Sequence, residues 1–136
     1  MFRDMLNFKR INWWTFLGGA GLNLLISLFA SFIGAYLAAN EATSDFYMRF
    51  GPVLMVLAVF LACGLAGFII SKIADDVPLK HAFLSSLGAV IPFFAAAVLS
   101  INPMLLMMAG VAVAGNLNGG MLGLPKPRYR SPDRER

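Results

Sequence analysis

His81 is the only histidine of the chain, and its side chain is the one best suited to binding a cofactor. An imidazole nitrogen is a common axial ligand, so a haem or chlorophyll-like pigment held by His81 is one hypothesis. A single histidine excludes a bis-histidine haem site or a histidine-rich zinc site within the chain. His81 follows Lys80 at the edge of an apolar segment, which favours a plainer role as an interfacial or helix-capping residue.

The other residues that could support chemistry lack the partners that chemistry requires. Asp75 and Asp76 are adjacent carboxylates without further ligands, a pattern typical of a solvated loop, and Asp76 could cap the helix that follows. Three methionines near residue 104 come without a cysteine or histidine, so a soft-metal site is not predicted. No Ser, Cys or Asp is placed with a base that would activate it. The sequence therefore predicts a protein that is not an enzyme and requires no cofactor.

Small and polar residues recur at helical spacing inside the apolar segments. In lipid, helices associate through small residues and interhelical hydrogen bonds, so these residues are candidate helix-packing or partner-binding positions. Gly115, Gly119 and Gly123 resemble a glycine zipper. Asn116 and Asn118 beside them need hydrogen-bond partners, as does Asn23. The candidate set is Gly19, Asn23, Ser27, Ser31, Gly64, Gly67, Gly115, Gly119 and Gly123. Contacts within the chain and contacts with another chain both remain open.

Charge-free runs define the elements that carry these residues. The chain is 59% hydrophobic and 13% charged, more apolar than a soluble domain of 136 residues can bury. A span needs about 20 apolar residues, and the runs predict four helices, with a break at Asn102-Pro103 and a kink at Pro92. We therefore predict an all-α, polytopic integral membrane protein. Its spans are near residues 13–39, 52–73, 79–99 and 104–122, within a domain of residues 13–123.

The distribution of basic residues predicts the orientation. Ten of the eleven Lys and Arg residues lie in the N-terminal segment, the middle loop or the tail, and only Arg49 lies in the other loops. The positive-inside rule then places both termini in the cytoplasm (N-in/C-in), most simply in the bacterial inner membrane. Residues 1–12 read as an amphipathic interfacial segment and not as part of a cleaved signal peptide. Nucleic acid is not an expected partner, because the basic residues flank apolar segments.

Residues 124–136 form a basic cytoplasmic tail with too few apolar residues to fold alone. A cytoplasmic protein surface could hold this tail through Lys126, Arg128 and Arg130.

The sequence does not match either of two known families of small four-helix membrane proteins. Small multidrug transporters carry a glutamate in the first helix, whereas this first helix has Gly19, Asn23 and Ser27 and no acid. Dual-topology fluoride channels have a weak charge bias, and the bias here is strong. The segment 64–74, with His81-Ala82 and the glycine-rich last helix, loosely resembles small bacterial four-helix membrane proteins of unknown function. That resemblance implies the fold and no site residue.

The leading functional hypothesis is a non-catalytic accessory subunit of a larger membrane complex, possibly photosynthetic or respiratory. Its expected partners are other membrane subunits and bound lipids. The alternative is a small homo-oligomeric channel or transporter with a pore lined by Asn23, Ser27, Ser31 and Asn116. A third hypothesis is pigment or lipid binding through His81 and the phenylalanine-rich faces.

Overall fold

A computed structural model of the chain describes Leu6 and residues 8–125. That part contains five α-helices and no strand. The helices are α1 (Trp13–Ala39), α2 (Glu41–Ile73), α3 (Pro78–Ser85), α4 (Leu87–Ser100) and α5 (Pro103–Gly123). Only Ser86 separates α3 from α4, so four helical stretches are long and apolar enough to cross a membrane. The predicted all-α architecture with four candidate spans is confirmed.

Asparagine side chains set the first two helix starts. The Oδ1 of Asn12 accepts hydrogen bonds from the backbone N–H groups of Trp14 (3.1 Å) and Thr15 (3.4 Å), which caps α1. Asn40 ends α1 and also begins α2, where its Oδ1 accepts from the Ala42 N–H at 3.0 Å. The first N–H groups of a helix have no intrahelical partner, so these caps satisfy donors that would otherwise be left unpaired. A single residue is therefore enough to connect α1 and α2.

The predicted start of the second helix near Pro52 is wrong, because α2 begins at Glu41 and Pro52 lies inside it. Glu41, Asp45 and Arg49 exclude this stretch from a hydrocarbon core, but charged side chains do not stop a helix. Glu41 stands in the first turn, where the helix dipole favours an acidic side chain. The helix therefore extends beyond the length that a bilayer core requires.

The third span differs from expectation at its start and in its middle. Val77, in the left-handed region with φ 42°, precedes α3, and no side chain caps it. The prediction that Asp76 caps this helix is therefore wrong. The span is interrupted at Ser86, where no break was predicted, and Pro92 lies within α4, so the kink predicted there stays a prediction. The hydroxyl of Ser86 donates to the Phe83 carbonyl at 2.6 Å, a local bond that competes with regular helix geometry.

The predicted break between the third and fourth spans is confirmed at Asn102-Pro103. Ile101 takes a left-handed conformation with φ 51°, and α5 begins with Pro103 at its first position. The Oδ1 of Asn102 accepts from the Met104 N–H at 3.0 Å. Proline fits here because the first N–H of a helix has no partner in any case.

The apolar core lies between α2, α4 and α5. Its buried members are Met55, Val59, Cys63, Ala89, Phe93, Met108, Ala109 and Ala112. Only one large aromatic side chain is among them, and small residues dominate. Helices lined by small residues can bring their backbones together, which is the usual mode of packing in lipid.

The backbones of α2 and α5 pack closely together. A Cβ added to Gly119 would collide with the Gly64 backbone, and one added to Gly115 would lie 2.6 Å from the Phe60 carbonyl oxygen. Gly110, also on α5, has no atom of another element within 4 Å of such a Cβ. Contacts within the chain therefore explain Gly115 and Gly119, whereas Gly110 faces outward.

We predict that Gly119→Ala destabilises the bundle by about 1–3 kcal/mol, because backbone cannot move aside as a flexible side chain would. The matched control is Gly110→Ala, which adds the same methyl group to the same helix at an open position. It should be neutral or stabilise by up to about 1 kcal/mol through helix propensity. Denaturant unfolding of both variants in micelles measures the difference. Equal stability of the two variants would contradict this packing.

Candidate functional site

Polar side chains are buried in two groups, one inside the bundle and one at an end. The end group lies where α1 begins, α2 ends and α3 begins. We call this end of the bundle the basic end, because four basic residues lie there: Lys9, Arg10, Lys72 and Lys80. The buried polar side chains of the described residues are Asn23, Ser27, Ser71, His81, Ser85, Ser86 and Asn116. An apolar surrounding makes an unpaired polar group costly, so the partners of these side chains decide what the interior can do.

Asn23 of α1 and Asn116 of α5 form a reciprocal side-chain pair. The Nδ2 of Asn116 donates to the Oδ1 of Asn23 at 2.7 Å, and the Nδ2 of Asn23 donates to the Oδ1 of Asn116 at 3.2 Å. Both residues are 0% exposed. The two amides therefore face each other and join the first and last spans.

The second N–H of each amide is also bonded, to a carbonyl one turn back on its own helix. Asn23 donates to the Gly19 carbonyl at 2.9 Å, and Asn116 donates to the Ala112 carbonyl at 3.0 Å. All four side-chain N–H donors of the pair are therefore used. Among the described residues, no buried side-chain nitrogen or oxygen lacks a hydrogen-bond partner.

Glycines bring the two asparagines together. A Cβ on Gly67 of α2 would collide with the backbone of Asn116, so only glycine lets α5 come this close at that level. On α1, Gly19 lies against the side chains of Ser85 and Ile70. The predicted packing residues Gly19, Asn23 and Gly67 therefore meet at this pair, by contacts within the chain.

Two further polar residues of the predicted set lie apart from the pair. Ser27 is buried, and its hydroxyl donates to the Leu24 carbonyl at 2.8 Å, within α1. Ser31 is exposed on the outer surface of α1, so the four residues of the predicted pore do not line one common channel in the single chain. Asn118 is exposed as well and lies on the opposite side of α5 from the pair.

At the basic end, His81 connects α3 to the start of α1. The side chain is 1% exposed, and its Nε2 accepts the backbone N–H of Asn12 at 2.9 Å. The Nδ1 lies 3.2 Å from the Val77 carbonyl oxygen. Because Nε2 is the acceptor, Nδ1 carries the proton and donates to that carbonyl. Any axial ligation through Nε2 would have to displace the Asn12 hydrogen bond.

Three further contacts hold the same junction. Lys80 Nζ donates to the Lys9 carbonyl at 3.0 Å, and the Arg10 guanidinium lies 3.5 Å from the Asp76 carboxylate. The Ser85 hydroxyl donates to the Phe16 carbonyl at 3.4 Å. Both charged partners in the Arg10–Asp76 pair are largely exposed, so that pair contributes at most about 1 kcal/mol. The buried His81 bond is the stronger connection.

Backbone strain is concentrated at this junction. Arg10 (φ 66°) and Val77 (φ 42°) are both in the left-handed region, which costs a non-glycine residue about 1–3 kcal/mol. For Val77 the cost is high because its side chain is β-branched. The contacts of His81 and Lys80 join the segments on either side of these two residues and offset the strain.

Within the described part of the chain, no three His, Cys, Asp or Glu side chains cluster to form a metal site. The pigment hypothesis at His81 stays a prediction. Lys126, Arg128 and Arg130, the predicted tail contacts, lie outside the described residues.

Sequence reasoning missed the partner of His81 and the choice of Asn23 as the partner of Asn116. Asn12 immediately before Trp13 was a readable cap signal, because asparagine is preferred at that position. The cross-helix pairings carried no such signal, since they depend on how the spans are arranged. No known family model, curated protein or solved structure matches this chain.

We predict that Asn23→Ala and Asn116→Ala each destabilise the bundle, because each leaves the other amide partly unpaired. In a double-mutant cycle the two changes should couple by about 1–2 kcal/mol, the range for interhelical hydrogen bonds in membranes. Ser31→Ala is the control on the same helix and should be near neutral. Unfolding in micelles reports all four free energies. Additive effects of the two asparagine substitutions would contradict a direct bond.

Proposed function

We propose that the chain is a non-catalytic accessory subunit of a larger membrane protein complex. The observation that carries the proposal is the closed interior: every buried side-chain polar atom in the described part has a partner within the chain. His81 is the one ionisable polar residue buried there, and it lies at the basic end. Transporters and proton relays place ionisable groups inside the bundle. An interior without them favours a structural role.

The proposed orientation places the basic end in the cytoplasm. Lys9, Arg10, Lys72 and Lys80 gather at this end, in keeping with the positive-inside rule. Aromatic rings lie beside them: Phe8 stacks on Trp13 with ring centroids 6.0 Å apart. Tryptophan at the end of a span is typical of a membrane–water interface. The bacterial inner membrane is the proposed location.

In this proposal α1 is the helix that contacts other subunits. Only 17% of its most apolar window is buried, against 33–39% for the other three spans. Gly18 and Gly21 face open space, so the backbone of a neighbouring helix can approach them. The tail residues Lys126, Arg128 and Arg130 would add a cytoplasmic contact. Energy-transducing complexes, photosynthetic or respiratory, are the proposed hosts.

The test is purification from native membranes in a mild detergent, followed by identification of stoichiometric companion proteins. Gly18→Leu adds bulk to the outer face of α1 and should reduce recovery of companions at least tenfold. Gly110→Leu is the matched control, because it adds the same bulk at an open position on α5. The control should retain the companions. A lone chain without companions from the wild-type preparation would refute the proposal.

The same preparation distinguishes the other hypotheses. An absorbance band in the visible range, lost in His81→Phe, would favour pigment binding. Flux through reconstituted liposomes that Asn23→Leu abolishes would favour the homo-oligomeric pore. Such a pore would require Asn23 and Asn116 to exchange their mutual hydrogen bonds for contact with water.

A further inference from the structure

A groove runs along the outer surface between α2 and α5, on the side of the bundle away from α1. Its walls include Leu61, Leu65 and Phe68 of α2 and Asn118 and Leu122 of α5, and its volume is about 510 Å³. Ligand pockets typically measure about 300–1,000 Å³. The α2–α5 groove is therefore large enough for a ligand and opens toward the surroundings of the helices.

The shape of the groove suits a thin occupant better than a helix. Its floor is closed where Gly64 and Gly119 meet, so the small residues that another helix would need are already in contact with each other. Its walls are bulky, and Leu65 and Leu122 are 66% and 72% exposed. A second helix is about 10–12 Å across and packs best on small residues. A hydrocarbon chain can lie between such walls.

Asn118 supplies a polar group in this apolar groove. Its side chain is exposed and has no hydrogen-bond partner among the described residues. Asn118 lies five residues before Gly123, the last residue of α5. At a rise of 1.5 Å per residue, the distance along the helix axis is about 7.5 Å. An amide facing hydrocarbon without a partner is unfavourable. An occupant with ester or phosphate oxygens at this depth would satisfy its donors.

Lys72 provides a positive charge at the end of the groove. Its ammonium nitrogen lies 5.6 Å from the centroid of the Phe68 ring, and Phe68 lines the groove. This cation–π contact keeps the ammonium beside the groove. The nearest acidic residues along the chain, Asp75 and Asp76, lie beyond the end of α2, and Asp76 pairs with Arg10.

We propose that the α2–α5 groove binds one anionic glycerophospholipid. Gly119 meets Gly64 and Gly123 meets the Phe68 carbonyl, so Asn118 lies beside the middle of the groove. Leu61 is farther from the basic end than Asn118, and Phe68 and Lys72 are nearer to it. An acyl chain lies along Leu61 and Leu65, an ester oxygen accepts from the Asn118 amide, and the phosphate, beyond Phe68, faces the Lys72 ammonium. This inference rests on the membrane insertion proposed above, with the basic end at a leaflet surface, and requires no partner subunit.

Native mass spectrometry of the purified chain in detergent tests the inference, with phosphatidylglycerol and phosphatidylcholine of identical acyl chains as probes. The wild-type chain should bind one phosphatidylglycerol at least fivefold more tightly than phosphatidylcholine. Lys72→Gln should weaken phosphatidylglycerol binding about fivefold, which corresponds to about 1 kcal/mol for one basic side chain near an anionic headgroup. Asn118→Leu should weaken the binding of both lipids by a similar factor.

Two control variants separate the site from general effects. Arg49→Gln removes a positive charge from the opposite end of α2, and Gly18→Leu adds bulk at an exposed position of α1, away from the groove. Both should bind phosphatidylglycerol like the wild type. All substituted positions are exposed on helices, and circular dichroism verifies that each variant is folded.

Equal binding of the two lipids, or phosphatidylglycerol binding unchanged in both Lys72→Gln and Asn118→Leu, would overturn the inference. A dimer that dissociates in Asn118→Leu would also overturn it, since a second copy would then occupy the groove. The measurement uses the purified chain, so it is independent of companion subunits. If the chain shows no lipid selectivity but purifies with companions, only the lipid site is refuted. If it is selective but purifies without companions, only the accessory role is refuted.

Discussion

Hydrocarbon offers no water to a polar side chain, so a polar group inside a span must find its partners in the protein. The reciprocal pair of Asn23 and Asn116 meets this requirement, and the arrangement of the bundle depends on it. The backbones of α1 and α5 do not pack against each other, so the two side chains reach across the bundle. They meet because α5 lies close against α2, where Gly67 leaves room for the Asn116 backbone. The close α2–α5 contact and the asparagine pair therefore depend on the same glycine.

The basic end holds the same arrangement together at one end of the helices. His81 holds the start of α1 through the Asn12 N–H, and the adjacent contacts of Lys80 and Arg10 tie residues 9–12 to the segment after α2. Arg10 and Val77 both keep left-handed conformations at this junction. The asparagine pair fixes how the spans meet inside the bundle, and this junction fixes where α1 enters it. The accessory role is proposed because the buried polar side chains are paired within the chain, whereas the outer surface of the helices is apolar.

Much of the fold could be predicted because charge-free length is a direct signal of a span. The predicted bounds of the first helix, 13–39, agree with α1, and the Asn102-Pro103 break was equally legible. The predicted polar stripe on α1 is buried at Gly19, Asn23 and Ser27 but not at Ser31. Each four-residue step turns about 40° beyond a full circle, so three steps from Gly19 carry Ser31 off the buried face, and Gly34 takes the next buried place. Pairings such as Asn23 with Asn116 depend on tertiary placement and had no local signal.

The central claim is that the two asparagines are bonded to each other in an interior closed to water. Hydrogen–deuterium exchange of the asparagine side-chain amides, followed by NMR in micelles with asparagine labelled with nitrogen-15, tests it most directly. The Nδ2 protons of Asn23 and Asn116 should be strongly protected, whereas those of exposed Asn12 and Asn102 should exchange at rates close to those of free amides. Exchange of the Asn23 and Asn116 amides as fast as that of Asn102 would contradict the account and indicate a water-filled interior.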